Sequence, residues 1–410
     1  MPNTQTSHLG AGTMRILVLA LTYPHRASYY DDWRDALQNS PRFNSVVQNI
    51  LGLRPSALAT LIEDFDAIIV LHSCNSDTLE YLEPLAAPLA ERQRAQLFVF
   101  IGNEYNSPYV SMARRIAFLR NSRANFAATQ LLLEAGQYLY ARAGCRVISV
   151  PHALNPIIFT PGRPHHERSL DIGVKGYRYP PYLGDDDRNT MLARVLVSAR
   201  RLNLITDISE DARLSRDEWA AFLGTCQGTI STETGSWYIA PDDALMDDIH
   251  AYLRTKDRGL TLRNDGALRR AVRRLPVPVK SALWTLLKKG PVKFEMFEDF
   301  KTTFAELDEH FFRHHARAPI YSKAISSRHF DAIGKKTCQI MLAGRYNDIL
   351  IPGLHYIAVS RDFSDVDNAL EQFKDPNYST RIADEAYDFV MQAHTYAHRA
   401  QTIYDLLSDS

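Results

Sequence analysis

At 410 residues the chain is long enough to fold as two domains with separate cores. Its 47 Lys and Arg balance 47 Asp and Glu, so nothing global marks a nucleic-acid binder. Four scattered cysteines, Cys74, Cys145, Cys226 and Cys338, lack CxxC spacing and sit in or beside apolar runs. They argue against a disulfide framework or a zinc site and fit a reducing compartment. The first thirteen residues carry no apolar signal-peptide core, and no apolar run approaches a membrane span. A cytoplasmic location is expected.

In the amino-terminal half, apolar runs alternate with amphipathic stretches. Strands are predicted at Arg15–Leu21, Ser45–Ile50, Asp66–His72, Gln96–Ile101, Asn125–Thr129 and Arg146–Val150. Helices are predicted near Asp31–Gln38, Pro55–Asp64, Leu79–Arg94, Val110–Leu119 and Leu131–Ala143. This alternation implies a Rossmann-like domain with helices on both faces of a parallel sheet. No GxGxxG follows the first strand, so it is not an obvious NAD domain. Two strand ends carry reactive groups, His72 and the run Gly102-Asn103-Glu104-Tyr105-Asn106. His72 or Glu104 could deprotonate or orient an acceptor hydroxyl. A hydrogen-bonded histidine capping the sheet is the competing reading of His72.

PHALNPIIFTPG at 151–162 reads as a Pro-rich linker. A second set of elements begins with a strand at Leu170–Val174, and Lys175, Tyr177 and Arg178 follow at its carboxyl end. Cations there could hold a diphosphate, or belong to a solvated basic loop. A helix is predicted at Arg188–Arg201, where Asp185–Asp187 looks like capping rather than a metal pair. Next come a strand at Leu204–Ile208, a helix at Trp219–Gly224 and a strand at Gly228–Ser231. The last opens into Thr232-Glu233-Thr234-Gly235-Ser236. Gly235 permits close backbone approach, the amides of 234–236 can donate to phosphate, and Glu233 suits sugar hydroxyls. A simple turn is the bland alternative.

Between about 242 and 323 the alternation stops, and a mainly helical basic insertion is predicted. Residues 254–293 hold twelve Lys and Arg against Asp257 and Asp265, about +10 in a neutral chain. Cationic clusters alternating with Leu, Val and Trp284 fit an anionic membrane surface. A solvated insertion, or a cover over acidic surface, fits equally. Phe294, Phe297, Phe300 and Phe304 are expected on one helical face.

Near the carboxyl end, Arg328 and Asp331 are three apart and share a helix face, either as a site pair or as an ordinary salt bridge. Gly334 is expected to end that helix, and Cys338–Leu342 is a buried strand running into Gly344, Arg345, Tyr346 and Asn347. Ligands of open α/β sheets sit beyond such strand ends. Helices are predicted at Asp365–Lys374, Ser379–Met391 and His394–Leu407.

RHFDA at 328–332, GRYNDIL at 344–350, Pro352, His355-Tyr356 and RDF at 361–363 resemble a bacterial glycosyltransferase family of GT-B architecture, of the group-1 or spore-maturation-like kind. GTISTETGS at 228–236 is similar to that family's GTESG loop, and the linker at 151–162 to its interdomain crossing. The resemblance covers roughly 165–407 and is weaker before that. It implies an acceptor domain over 14–155, a nucleotide-sugar domain over 156–410, and a last helix packing back on the first domain. It also implies Glu104 and Lys175 in catalysis, beside His72 read from its strand end, with Arg178, Glu233, Thr234, Gly235, Ser236, Arg328, Asp331, Arg345 and Tyr346 on the donor. Asp331 stands where the family has Glu, one methylene longer, and would accept from the ribose. The implied donor is a nucleotide-sugar, and the acceptor a saccharide, a lipid-linked group or a protein. No metal or other cofactor is implied, and retention of anomeric configuration is expected. A sugar-nucleotide epimerase and a non-catalytic scaffold are the alternatives.

Overall fold

The computed structural model describes residues 12–22, 30–104, 110–210, 214–256, 260–262, 292–294 and 302–409, with positions 272, 275 and 279. A strand covered on both faces must be apolar throughout, and Met14–Ala20 (β1) meets that demand from Ile16 onward. After it come α1 (Asp31–Asn39), β2 (Phe43–Asn49), α2 (Pro55–Leu61), β3 (Ala67–Val70) and α3 (Ala86–Glu91). The first domain continues through β4 (Gln96–Phe100), α4 (Met112–Asn121), β5 (Phe126–Thr129), α5 (Leu133–Tyr140) and β6 (Arg146–Ser149). Its sheet is parallel, in the order β2-β1-β3-β4-β5-β6. Leu17, Leu19 and Ile68 enter the core on one face, Ile16, Val18 and Ile69 that on the other.

The second domain opens with β7 (Leu170–Lys175), α6 (Asp187–Arg201), β8 (Thr206–Ser209), α7 (Arg216–Leu223) and β9 (Cys226–Ser231). Then come β10 (Thr234–Gly235), α8 (Ala244–Lys256), β11 (Leu260–Leu262), β12 (Val292–Phe294), α9 (Phe304–His310), β13 (Lys323–Ala324) and α10 (Ser327–Gly334). It closes with β14 (Cys338–Leu342), β15 (Ile357–Val359), α11 (Val366–Lys374), α12 (Pro376–Ala393) and α13 (Tyr396–Ser408). Its parallel sheet has the order β15-β14-β9-β7-β8, and β10 pairs antiparallel with β13 as a separate ribbon. These two Rossmann-like sheets are the GT-B arrangement. The chain crosses between them twice, and the crossings are bonded to each other. Leu154 donates its N–H to the His394 carbonyl and accepts from Tyr396 N–H, both at 2.9 Å. Helix α13 then places Tyr396, Ala400, Ile403 and Leu407 in the first domain's core.

Two expectations need correction. The helix expected over 79–94 is a short 3-10 turn, Glu83–Leu85, followed by α3. Pro84 and Pro88 lack the N–H groups a continuous helix needs. The basic insertion, most of which lies outside the described residues, includes β11 paired parallel with β12. Phe294 is therefore on a strand, not on a helical face with Phe304; Phe297 and Phe300 lie outside the described residues. Gly334 is the last residue of α10, as expected, and packing is what demands a glycine there. A Cβ at this position would run into the Phe159 carbonyl of the linker and stand 2.5 Å from Leu154 Cδ1. Gly334→Ala should therefore lower stability by about 1–3 kcal/mol, measured as a shift in the urea midpoint.

Candidate functional site

The order of the second sheet reverses between β7 and β9, so loop chemistry gathers beyond their carboxyl ends. Gly176 follows β7 with two guanidinium groups over it. A Cβ on Gly176 would stand 2.7 Å from Arg328 Nη1 and 2.9 Å from Arg188 Nη2, so glycine leaves room for both. Arg328, in the first turn of α10, donates to the Lys175 carbonyl at 2.7 Å and lies 5.4 Å from the Trp219 ring. Arg188, in the first turn of α6, donates to the Tyr177 carbonyl at 2.6 Å and lies 5.1 Å from the Tyr179 ring. Two planar forks fixed by carbonyls and aromatic faces make a concentrated cationic patch that suits phosphate oxygens. The Lys175 ammonium is engaged elsewhere, by Asp207 on β8 and 5.1 Å from the Phe222 ring. Arg178 is exposed, its backbone N–H on the Glu210 carbonyl. Sequence reasoning missed Arg188, whose only local signal is an arginine just inside a helix start.

Glu233, only 4% exposed, follows β9. Its Oε1 accepts from the Tyr346 backbone N–H at 2.7 Å, and Oε2 accepts from the Tyr321 hydroxyl. Burial raises the pKa of both the carboxyl and the Tyr321 phenol. The protein thus already occupies the two oxygens expected to meet donor hydroxyls. Gly344 lies against this carboxylate, and a Cβ there would overlap it. Thr234 and Gly235 pair with Ala324 and Lys323, and Gly235 adopts φ 113°. Ser236 is buried, its Oγ accepting from Tyr238 N–H at 3.1 Å and its carbonyl from Ser322 Oγ at 2.5 Å. The TETGS run is therefore a clasp within the second domain.

Beyond β14, Tyr346, Asn347 and Asp348 have φ of 45°, 55° and 58°, a left-handed turn of three L-residues. Each costs about 1–2 kcal/mol in that conformation. The Tyr346 hydroxyl donates to the Leu342 carbonyl at 2.6 Å, and Arg345 Nε donates to Asp348 Oδ1 at 2.8 Å. Beside the clasp, the buried Lys323 pairs with Asp185 at 2.5 Å and Asp187 at 3.5 Å. Arg361 pairs with Asp187 at 2.9 Å, and both cations lie over the Trp237 ring. Asp185 Oδ1 does accept the Asp187 N–H as a cap would, but no sequence spacing announces its ion pair with Lys323. Among the described residues no group of three or more His, Cys, Asp or Glu could hold a metal ion.

Asp331, on α10, accepts from the Trp219 indole N–H at 3.0 Å through Oδ2. Burial, and then Asp32 across the domain boundary, holds its pKa well above the usual carboxylate range. Asp32 itself accepts from Asn155 Nδ2 at 2.6 Å and from Arg216 Nη1 at 2.8 Å. Arg328 and Asp331 therefore share a helix but make no ion pair with each other.

In the first domain, Glu104 Oε1 accepts from Thr129 Oγ1 and Oε2 from Gln130 N–H, both at 2.7 Å. Tyr105 and Asn106 lie outside the described residues. His72 falls just past β3, in a 3-10 turn, fully buried. Its ring stacks on Tyr30 at 4.7 Å and on Phe100 at 4.5 Å, and neither nitrogen has a hydrogen-bond partner. Burial lowers its pKa well below the ordinary histidine value, so the ring is neutral. It is not the hydrogen-bonded cap that was the competing expectation.

Residues 293–405 match a protein-family model described as glycosyl transferase-like. The matched span takes in α10, β14, the left-handed turn and most of α13, the region that carries the RHFDA and GRYND motifs. The similarity to that family thus falls in the carboxyl-terminal part of the chain. No curated protein matches the chain. Among solved structures, it is similar to Anabaena Alr3699/HepE in complex with UDP and glucose, at 11% identity and a TM-score of 0.49, covering 97% of this chain and 100% of that one. It is also similar to an alpha,alpha-trehalose-phosphate synthase (UDP-forming) from Burkholderia vietnamiensis, at 12% identity and a TM-score of 0.40, covering 87% and 75%. TarM is similar at 10% identity and a TM-score of 0.42, covering 86% and 58%.

Burial pushes the Glu104 carboxyl up to about 7, against hydrogen bonds that lower it. The folded state therefore keeps a proton that the unfolded chain releases near its ordinary carboxylate pKa. Stability owed to this group should fall as pH rises from about 5 to about 7 and level off above. Glu104→Gln cannot titrate, so urea unfolding across that range should give the variant a flatter pH profile than wild type.

Proposed function

We propose that the chain moves a glycosyl group from a nucleotide-sugar to an acceptor hydroxyl, with the donor on the second domain and the acceptor on the first. The observation that carries this reading is the Arg188–Arg328 pair over Gly176 at the switch point of the second sheet. As the glycosyl C–O bond breaks, negative charge develops on the departing diphosphate. Cations already fixed at that point stabilise it without reorganising. Asp331 Oδ1, which has no hydrogen-bond partner among the described residues, takes a ribose hydroxyl in this reading while Trp219 fixes the other oxygen. Lys175 contributes through its carbonyl, which orients Arg328. The neutral His72 and the Glu104–Gln130 pair shape the acceptor side.

The nucleotide-sugar is a substrate, and no resident cofactor belongs to the proposal. Retention of configuration and a place in bacterial surface polysaccharide or glycoconjugate synthesis come from the family resemblance and are proposed with it. The basic block at 254–293 supplies contact with an anionic membrane surface. No helix among the described residues is long and apolar enough to cross a membrane.

A panel of nucleotide-sugars tested by thermal shift checks the donor. One nucleotide series at about 100 times its dissociation constant should stabilise wild type by about 2.7 kcal/mol, and Asp331→Ala much less. Once turnover is measured, Arg188→Ala should lower kcat by about 100-fold, and Arg188→Lys should recover only part of it. No shift with any nucleotide-sugar would remove the donor assignment. For the membrane contact, sedimentation with anionic vesicles but not with neutral ones is expected; equal behaviour would reject it.

A further inference from the structure

The left-handed turn after β14 faces both domains. Toward the first, Arg345 Nη1 donates to Glu134 Oε1 on α5 at 2.7 Å, and Asn347 Nδ2 donates to the Gln130 carbonyl at 2.9 Å. Gln130 is held in turn by Glu104, inside the first domain's core. Toward its own domain, Tyr346 N–H is held by Glu233, Arg345 N–H donates to Tyr321 Oη at 3.2 Å, and Asn347 Oδ1 accepts from Ile325 N–H at 2.8 Å. Asparagine suits such a position because it tolerates φ above zero, but three consecutive L-residues there are strained. The shape persists only while its surroundings impose it.

We propose that this turn is a latch coupling the Glu233 clasp to closure of the two domains. While Glu233 holds Tyr346 N–H, the turn keeps its left-handed form and presents Arg345 and Asn347 to Glu134 and Gln130. When the clasp lets go, the strained turn relaxes, both cross-domain contacts are lost and the cleft opens. Glu233 and Asn347 are positioning residues, acting through other groups. The consequence for transfer, that order around the TETGS loop sets the distance between donor and acceptor domains, rests on the donor reading above. The latch itself does not.

Pulsed electron-paramagnetic-resonance distances on the full chain test it without substrate. Labels go on Thr60→Cys in α2 and Val197→Cys in α6, both exposed, in a Cys145→Ser background whose other cysteines are buried. Asn347→Gly with Glu134→Ala keeps the backbone's access to positive φ but removes the cross-domain side-chain contacts. It should broaden the distribution and add a population absent from the unmodified pair. Glu233→Asp should do the same, although among the described residues the side chain of Glu233 accepts only from Tyr321 and Tyr346 of its own domain. A wild-type distribution in folded Asn347→Gly/Glu134→Ala would overturn the latch. Such a distribution in folded Glu233→Asp would overturn its coupling to the clasp. Should Glu233→Asp fail to fold, Gly344→Ala, which crowds the same carboxylate, takes its place. Altered distances with no thermal response to any nucleotide-sugar would support the latch while removing the donor reading.

Discussion

A carboxylate buried beyond the ends of β9 and β14 holds three stretches of the second domain together. Burial raises the pKa of Glu233, and the hydroxyl of Tyr321 and the N–H of Tyr346 oppose that by donating to it. Each donor belongs to a different stretch of chain, one after β14 and one before β13. Through one side chain the loop after β9, the approach to the ribbon and the left-handed turn become a single body. Gly344 is part of the same constraint, since any side chain there would occupy the place of the carboxylate. The neighbouring Lys323 is buried too, and it is tolerated because Asp185 and Asp187 accompany it.

The domain boundary shows a different use of buried acids. Asp32 and Asp331 come from opposite domains, and burial raises the pKa of both. Arg216 answers Asp32 directly, whereas Asp331 has an indole N–H and the nearby field of Arg328. Bringing the domains together therefore takes carboxylates out of water with only partial compensation. Such a boundary favours an occupant that brings its own hydrogen-bond donors.

Local pattern revealed the scaffold and much less of the site. The apolar runs at β1, β3, β4 and β14 can serve only as strands covered on both faces, so the doubled parallel sheet was legible. The three-residue β15, at the sheet edge, carries too little pattern to be seen, and the prolines at 84 and 88 defeated a helical reading based on hydrophobic spacing. The shared helix face of Arg328 and Asp331 was legible because i,i+3 spacing is a local fact. Their partners were not, because each reaches elements distant in sequence: Arg328 the end of β7, Asp331 the indole of α7. Arg188, Lys323 and the donors to Glu233 were hidden for the same reason. An ion pair or a buried hydrogen bond is chosen by tertiary proximity, which no spacing records.

The bonded crossings also determine how this molecule can move. Leu154 is flanked by hydrogen bonds to the chain on either side of Thr395, so outgoing and returning strands share one short line. A join along one line resists sliding of one domain past the other at that place. The domains also meet away from it, through Arg216 with Asp32, Arg345 with Glu134 and Asn347 with Gln130. Any change of angle between them must break those bonds before it strains the crossings. A peptide break in one crossing would leave the other, and its hydrogen bonds, to keep the join.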